Sequence, residues 1–374
     1  MPQTRSGSEF ETLLADLTTA LHGGPPVVLG PVQPEQLEAA ADLALVLTTS
    51  GSSSGQGRPV GLTAAALRAS ARATAERLDG PGQWLLTLPA HHVAGVQVLS
   101  RSVLAGTVPV RTPPGPFRPE VLAGTITRMR TDVPRYVSLV PTQLVRVLRS
   151  EQAVQALRTC AAVLVGGAAT STAVLTQARQ AGVRVVTTYG MTETCGGCVY
   201  DGVPLPGARV RIGPGGRVLL AGPMLAVGYL DDGPQPFVEE AGRRWLATGD
   251  AGSLTDGVLT VTGRIDEVIV TGGVKVHPAA VEAALAGAPE VAEVCVVGVP
   301  DAEWGELVTA VVVPTAGATA SLPALRERAG GGPHAPRALV NLPELPVRGP
   351  GKTDRRRVAE LAAAALAEGH GQRH

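Results

Sequence analysis

Five short stretches hold the residues with the most chemical potential. Tyr189-Gly190-Met191-Thr192-Glu193-Thr194 follows an apolar run. A carboxylate ringed by hydroxyls at a strand end suits a Mg²⁺ ion that bridges phosphates, and the Tyr189 ring could lie on a purine. Taken alone, the segment reads equally well as a turn with a solvated Glu193. Thr48-Thr49-Ser50-Gly51-Ser52-Ser53-Ser54-Gly55-Gln56-Gly57-Arg58-Pro59 is expected to follow a strand and precede a helix. Small residues let backbone N–H groups converge on an anion, and the hydroxyls add donors, as a loop for ATP phosphates requires. The same composition would serve a surface linker. Asp250 in Thr248-Gly249-Asp250 and Arg264 in Gly263-Arg264-Ile265-Asp266 follow glycines at expected strand ends. A carboxylate can accept both ribose hydroxyls, and a guanidinium suits ribose or phosphate oxygens. Either residue alone is more often part of a turn. Lys352 lies in Pro346-Val347-Arg348-Gly349-Pro350-Gly351-Lys352-Thr353, a Gly/Pro-rich loop able to carry an ammonium into a site.

Other patterns fail on inspection. Gly351-Lys352-Thr353 invites a phosphate-loop reading, but Pro346 stands where that motif needs its first glycine. No G-x-G-x-x-G opens a helix after the first strand, which excludes a dinucleotide fold of that kind. His91 and His92 are adjacent and share no helix or strand face, so one metal bound by both is disfavoured. Cys195-Gly196-Gly197-Cys198 has the C-x-x-C spacing, but no second pair completes a zinc site, and four cysteines make no disulfide framework.

The 374 residues are 44% hydrophobic and 17% charged, as in a folded globular chain of two or three domains. Lys+Arg and Asp+Glu both number 32, so no net field draws nucleic acid or an anionic membrane. Lys275 and Lys352 are the two lysines on this arginine-rich background. No run approaches the roughly 18 apolar residues of a membrane span, and no leader pattern stands at the start. Small-molecule substrates, no nucleic acid, no membrane insertion and a cytoplasmic setting are expected. Oligomeric state stays open, a homodimer included.

The elements that must position these residues divide into three textures. From Leu43 to Gly190 strands at Leu43–Leu47, Trp84–Leu88, Val108–Arg111, Tyr136–Val140, Ala162–Val165 and Val183–Thr188 alternate with helices. Those helices are expected at Leu62–Leu78, Val93–Leu104, Thr142–Arg149 and Thr172–Gln180. Such alternation argues for largely parallel, helix-covered sheets. About 205–263 reads as short antiparallel strands between Gly/Pro turns, among them Trp245–Ala247. Strand and helix then return, with helices at Ala279–Ala286 and Leu322–Arg328. The fold class is therefore α/β: a large N-terminal domain (1–265) with a small β region, then a small, mobile α+β domain (266–374).

The order and spacing of these motifs resemble the adenylate-forming superfamily of acyl-CoA ligases, luciferases and peptide-synthetase adenylation domains, over about Leu43 to Arg357. Within it, Leu88-Pro89-Ala90-His91-His92-Val93-Ala94-Gly95 and the run from Tyr189 to Pro204 look like the actinobacterial o-succinylbenzoate–CoA ligases of menaquinone synthesis. The resemblance implies ATP, Mg²⁺ and coenzyme A. It implies that Thr49, Ser50, Gly51, Ser52 and Ser53 cradle pyrophosphate, and that Gly166, Gly167 and Ala168 meet adenine beside Tyr189, Gly190 and Met191. Thr192 would meet the α-phosphate and Glu193 would hold the metal. Asp250, aided by Arg264, would bind ribose, and Lys352 would bridge the attacking carboxylate and the α-phosphate. His92, Gly190, Gly196 and Gly197 would line the acyl pocket. Gly272 and Gly273 would face the pantetheine arm, and Asp266 would be the hinge.

Two features depart from the family pattern. The Ser/Gly loop is three residues longer than usual, with Val60 in place of a lysine whose charge Arg58 could supply. The shortened N-terminal region implies a missing or reduced early strand–helix layer. The competing readings are a ligase for another aryl or aliphatic acid, a module loading a carrier protein, and a non-catalytic nucleotide-binding homologue.

Overall fold

The longer apolar runs of the first half do form strands, and their two-residue periodicity builds two cores at once. A computed structural model describes residues 7–38, 42–49, 57–348 and 352–374. Contacts divide the chain into two units. One is Met1–Gly213 with Leu219–Thr248 and Leu254–Thr260, and the other is Pro214–Val218, Gly249–Ser253 and Val261–His374.

In the first unit β1 (Val27–Leu29) pairs in parallel with β2 (Leu43–Thr48), and β3 (Pro59–Thr63) pairs antiparallel with β2. Gly228–Tyr229 adds a fourth strand on β3. The Ser/Gly segment therefore joins two strands of a hairpin and does not run straight from strand to helix, as expected. Val60 and Leu62 point inward and are fully buried, which fixes β3; Thr63 then caps the helix Ala64–Arg77 by accepting from the Ala66 N–H at 3.1 Å. Five residues are too few to stand out within a helical window. An early strand–helix layer is present, with β1 as its strand. Gly7–Leu21 buries Leu13, Leu17, Ala20 and Leu21.

The larger sheet runs β10-β9-β8-β7-β6-β4-β5. Its strands are β4 (Gln83–Leu86), β5 (Val110–Arg111), β6 (Arg135–Leu139), β7 (Ala162–Gly166), β8 (Val185–Met191), β9 (Gly196–Tyr200) and β10 (Val203–Pro204). The five from β4 to β8 are parallel, joined through helices that include Val93–Leu104 and Thr172–Gln180. Trp84, Tyr136, Leu164 and Val186 join the core on one face, while Leu85, Val137, Val163 and Val185 join that on the other. A strand apolar on both faces is the mark of a parallel sheet covered twice.

Where β8 meets β9 the two backbones nearly touch. Gly190 lies opposite Gly197, and a Cβ on Gly190 would sit 2.1 Å from the Gly196 carbonyl oxygen. Gly196 itself has φ +86° and packs on Gln97 and Val93 of the neighbouring helix. All three glycines thus have a packing reason to be glycine.

The β-rich stretch contains Arg209–Ile212, Arg217–Ala221, Phe237–Glu240, Arg243–Thr255 and Val258–Arg264. Trp245–Ala247 is the middle of a thirteen-residue strand that carries Thr248-Gly249-Asp250 within it. Asp250 is therefore a strand residue and not a turn residue at a strand end.

In the second unit a long hairpin, Val291–Asp301 with Gly305–Pro314, is flanked by Ala338–Asn341 in parallel. Helices Pro278–Leu285 and Leu322–Arg328 bury Val281, Leu285, Leu322 and Leu325 in one core. Helix Arg355–Ala367 buries Val358 and Ala362 in a separate one. Arg355 pins this last helix through Glu282 at 2.8 Å, Glu267 at 3.1 Å and the Val296 carbonyl at 2.9 Å. Gly272 and Gly273, both with positive φ, form the two-residue turn between Ile269–Thr271 and Val274–Val276, the geometry of a type I′ hairpin.

The β8–β9 contact yields a stability prediction. Gly190→Ala forces the two strands apart and should cost roughly 1–3 kcal/mol, the usual price of overpacking. Urea unfolding reads it as a lower midpoint; an unchanged midpoint would mean that the strands have room. Leu85→Ala, which empties a fully buried β4 position, should cost about 2–5 kcal/mol in the same assay.

Candidate active site

The tightest cluster of expected residues lies at the carboxyl ends of β7 and β8, the side of an α/β sheet where ligands bind. Gly166 is registered with Thr188, so Gly167 and Ala168 leave β7 beside Tyr189. A Cβ on Gly166 would stand 2.2 Å from Thr188 Oγ1, and Gly167 has φ +84°. Ala168 is exposed and Tyr189 half-buried, as a surface meant to receive a flat ring would be.

Beyond Met191 the chain makes one 3₁₀ turn, Thr192–Thr194, before returning as β9. Thr194 Oγ1 accepts from the Met191 N–H at 2.9 Å and donates to the Gly196 carbonyl at 2.7 Å, clamping the turn from inside. Cys195 takes φ +49° to reverse direction. The turn is consequently rigid, and Glu193 at its apex is buried, with 8% exposed. This is not the solvated turn carboxylate that the bare segment allowed. Tyr229 donates its hydroxyl to Glu193 Oε1 at 2.6 Å, and among the described residues nothing donates to Oε2.

Thr49 is the last described residue before the Ser/Gly loop. Its N–H donates to the Arg58 carbonyl and its Oγ1 accepts from the Arg58 N–H, each at 2.9 Å, so Thr49 and Arg58 close the loop's neck. Ser50, Gly51, Ser52 and Ser53 lie outside the described residues.

His92 is the N-cap of Val93–Leu104, half-buried, with its ring centroid 4.4 Å from that of His91. On the next turns of this helix lie three residues that sequence reasoning missed. Gln97 contacts the space beside Gly196, and neither of its buried amide atoms has a hydrogen-bond partner. The buried Ser100 hydroxyl also lacks one. Arg101 is the buried arginine among the described residues: its guanidinium lies 4.9 Å from the Trp84 ring and donates to the Tyr200 hydroxyl at 3.2 Å, with Nε unsatisfied. Unmet buried donors are costly. Thirty arginines alike in sequence gave no signal to single this one out.

Cys195 and Cys198 are buried free thiols, and burial pushes Cys198 up to about 12 and Cys195 higher still. Neither is a thiolate at neutral pH, so the C-x-x-C spacing reflects packing. Among the described residues no group of three histidine, cysteine or acidic side chains forms a metal cage.

In the second unit Arg264 ends its strand and grips Asp266 in a two-pronged pair, Nε to Oδ1 at 2.7 Å and Nη2 to Oδ2 at 2.8 Å, with Asp250 Oδ1 3.8 Å away. Gly249 makes this possible, because a Cβ there would meet Arg264 Nη2 at 2.6 Å. Gly273 is exposed with open space around its Cα, and Gly272 packs against Trp304. The Lys352 backbone pairs with Arg348 in a short hairpin.

Comparison with known proteins identifies the family. The profile of the AMP-binding enzyme family matches residues 5–242, and that of the AMP-binding enzyme C-terminal domain matches residues 280–352. A Mycobacterium tuberculosis protein named "Probable 2-succinylbenzoate--CoA ligase" is 45% identical over 370 residues, covering 94% of this chain and 95% of that one. ATP-bound MatB from Rhodopseudomonas palustris superposes with a TM-score of 0.77 at 25% identity, over 87% of this chain and 69% of its own. E. coli MenE with bound OSB-AMS superposes with a TM-score of 0.70 at 32% identity, over 85% and 68%. Matched along both of its units, the chain belongs to the AMP-binding enzyme family.

Proposed function

We propose that the protein is an ATP-dependent acid–thiol ligase that adenylates 2-succinylbenzoate and transfers the acyl group to coenzyme A, a step of menaquinone synthesis. The observation that carries this reading is the near full-length similarity to a relative bearing that name. The site supports it chemically. Mg²⁺ commonly takes one or two carboxylates and completes its shell with water and phosphate oxygens. Glu193, buried, with one oxygen bonded and the other uncommitted, suits that share of the shell. When bound, the ion neutralises charge on the phosphates.

A carboxylate is a poor electrophile, so the acid must first be joined to a good leaving group. Its oxygen attacks the α-phosphorus of ATP, and pyrophosphate departs. The thiol then attacks the acyl carbon, loses its proton, and AMP departs. The first step brings two anions together and needs positioned positive charge more than acid–base chemistry. Thr192 and Lys352 would meet the α-phosphate, Gly167 and Tyr189 the adenine, and Asp250 with Arg264 the ribose. The second step needs the lysine out of the way and the Gly272-Gly273 turn at the thiol's approach. Rotation of the second unit about Asp266 would supply both.

2-Succinylbenzoate carries a second carboxylate. For that group Arg101, with Gln97 one helical turn before it and Gly196 against Gln97, offers a buried cation that no acidic side chain pairs among the described residues. Four free, buried cysteines fit a reducing, cytoplasmic setting.

Purified enzyme given ATP, Mg²⁺, CoA and a panel of acids should release pyrophosphate fastest with 2-succinylbenzoate; preference for a fatty or simple aryl acid would reject the assignment. Lys352→Ala should abolish adenylate formation while sparing thioester formation from supplied acyl-adenylate, and equal loss of both half-reactions would refute the role. Arg101→Gln should raise KM for 2-succinylbenzoate by about 10–100-fold, the worth of one charge-assisted hydrogen bond, and leave KM for a monocarboxylic analogue unchanged.

A further inference from the structure

We infer that Tyr229 is a positioning residue for the metal-binding carboxylate, and that Arg58 and Asp231 hold it so that the neck of the phosphate loop and Glu193 move as one body. This rests on the proposal above that Glu193 serves a metal–ATP complex.

The chain of contacts is continuous. Tyr229 donates to Glu193 Oε1 at 2.6 Å, which turns the carboxylate and leaves Oε2 for a ligand. The Tyr229 ring lies against the Arg58 guanidinium, whose carbon is 3.7 Å from the ring centroid. Arg58 is fixed in its turn: Nε donates to Asp231 Oδ2 at 2.8 Å, Nη2 donates to Asp231 Oδ1, and Nη1 donates to the Pro234 carbonyl at 2.8 Å. The backbone of Tyr229 is clamped as well, its N–H donating to Gln235 Oε1 at 2.9 Å and its carbonyl accepting from Gln235 Nε2 at 2.8 Å. Gly233 leaves room for the guanidinium, since a Cβ there would stand 2.5 Å from Arg58 Nη2.

These contacts revise the expectation that Arg58 replaces the missing loop lysine as a phosphate donor. All three of its nitrogens are committed to Asp231 and Pro234. Its charge is neutralised locally, and Asp231 holds the guanidinium pKa above its ordinary value through their hydrogen bonds. What Arg58 contributes is mechanical. Its backbone closes the loop on Thr49, while its side chain packs the tyrosine that aims Glu193. A residue behind a metal ligand typically changes metal affinity by about 10–100-fold when lost.

The test uses ATP binding by the whole chain, measured by calorimetry at several Mg²⁺ concentrations without any acid. Tyr229→Phe and Arg58→Ala should each raise the Mg²⁺ concentration for half-maximal ATP binding by about 10-fold or more, with metal-free ATP affinity unchanged. The double variant should be no worse than the worse single one, because both break the same chain. Asp231→Asn, which keeps the shape and removes the charge, should shift the same midpoint in the same direction and guards against a misfolded Arg58→Ala. Midpoints equal to wild type, a matching loss of metal-free affinity, or multiplicative effects in the double variant would overturn the inference. Wild-type protein whose ATP binding ignores Mg²⁺ would instead sink the role given to Glu193.

Discussion

The near-contact of β8 and β9 at Gly190, Gly196 and Gly197 is the constraint on which the first unit's site depends. A side chain on Gly190 would strike the Gly196 backbone, so this irregular pairing needs glycine, and the 3₁₀ turn Thr192–Thr194 joins the two strands at their tip. Glu193 is carried on that turn, clamped beneath by Thr194. Gly196 also packs against Gln97 of the Val93–Leu104 helix, on which Gln97 and Arg101 carry buried donors with no partner among the described residues.

Charge is handled differently in the two units. In the first, Arg58 is held by Asp231, and Arg101 is buried with no anion beside it among the described residues. In the second, Arg264 is held by Asp266, and Arg355 by Glu267 and Glu282. A bidentate guanidinium–carboxylate pair orients both partners, which a lysine could not do. Exchange of Asp266 for a ribose or phosphate oxygen at Arg264 would couple nucleotide occupancy to the conformation of the segment proposed as the hinge.

Most of the parallel sheet was legible because its strands are apolar on both faces and separated by periodic helices; Val93–Leu104 and Thr172–Gln180 were placed to the residue. The failures share a cause. β3 is short and abuts a helix, so the hairpin around the Ser/Gly loop could not be seen from periodicity. Asp250 was placed at a strand end because Gly249 looked like a turn signal, when it serves instead to admit a guanidinium. The polar residues of the motifs stand out in the sequence by their order and spacing. Tyr229, Asp231, Gln97 and Arg101 do not, since what singles them out is contact across the chain, as distant as 173 residues between Arg58 and Asp231.

The buried cysteines bear on life beside a reactive thiol. Burial pushes Cys160 to about 11, Cys198 and Cys295 to about 12, and Cys195 beyond them. Thiol–disulfide exchange requires a thiolate that an oxidised partner can reach, and none of the four offers either. An enzyme with the proposed function would meet oxidised forms of coenzyme A as well. Each sulfur here is buried away from them, so on that reading the chain would turn over a thiol substrate without becoming covalently capped by it.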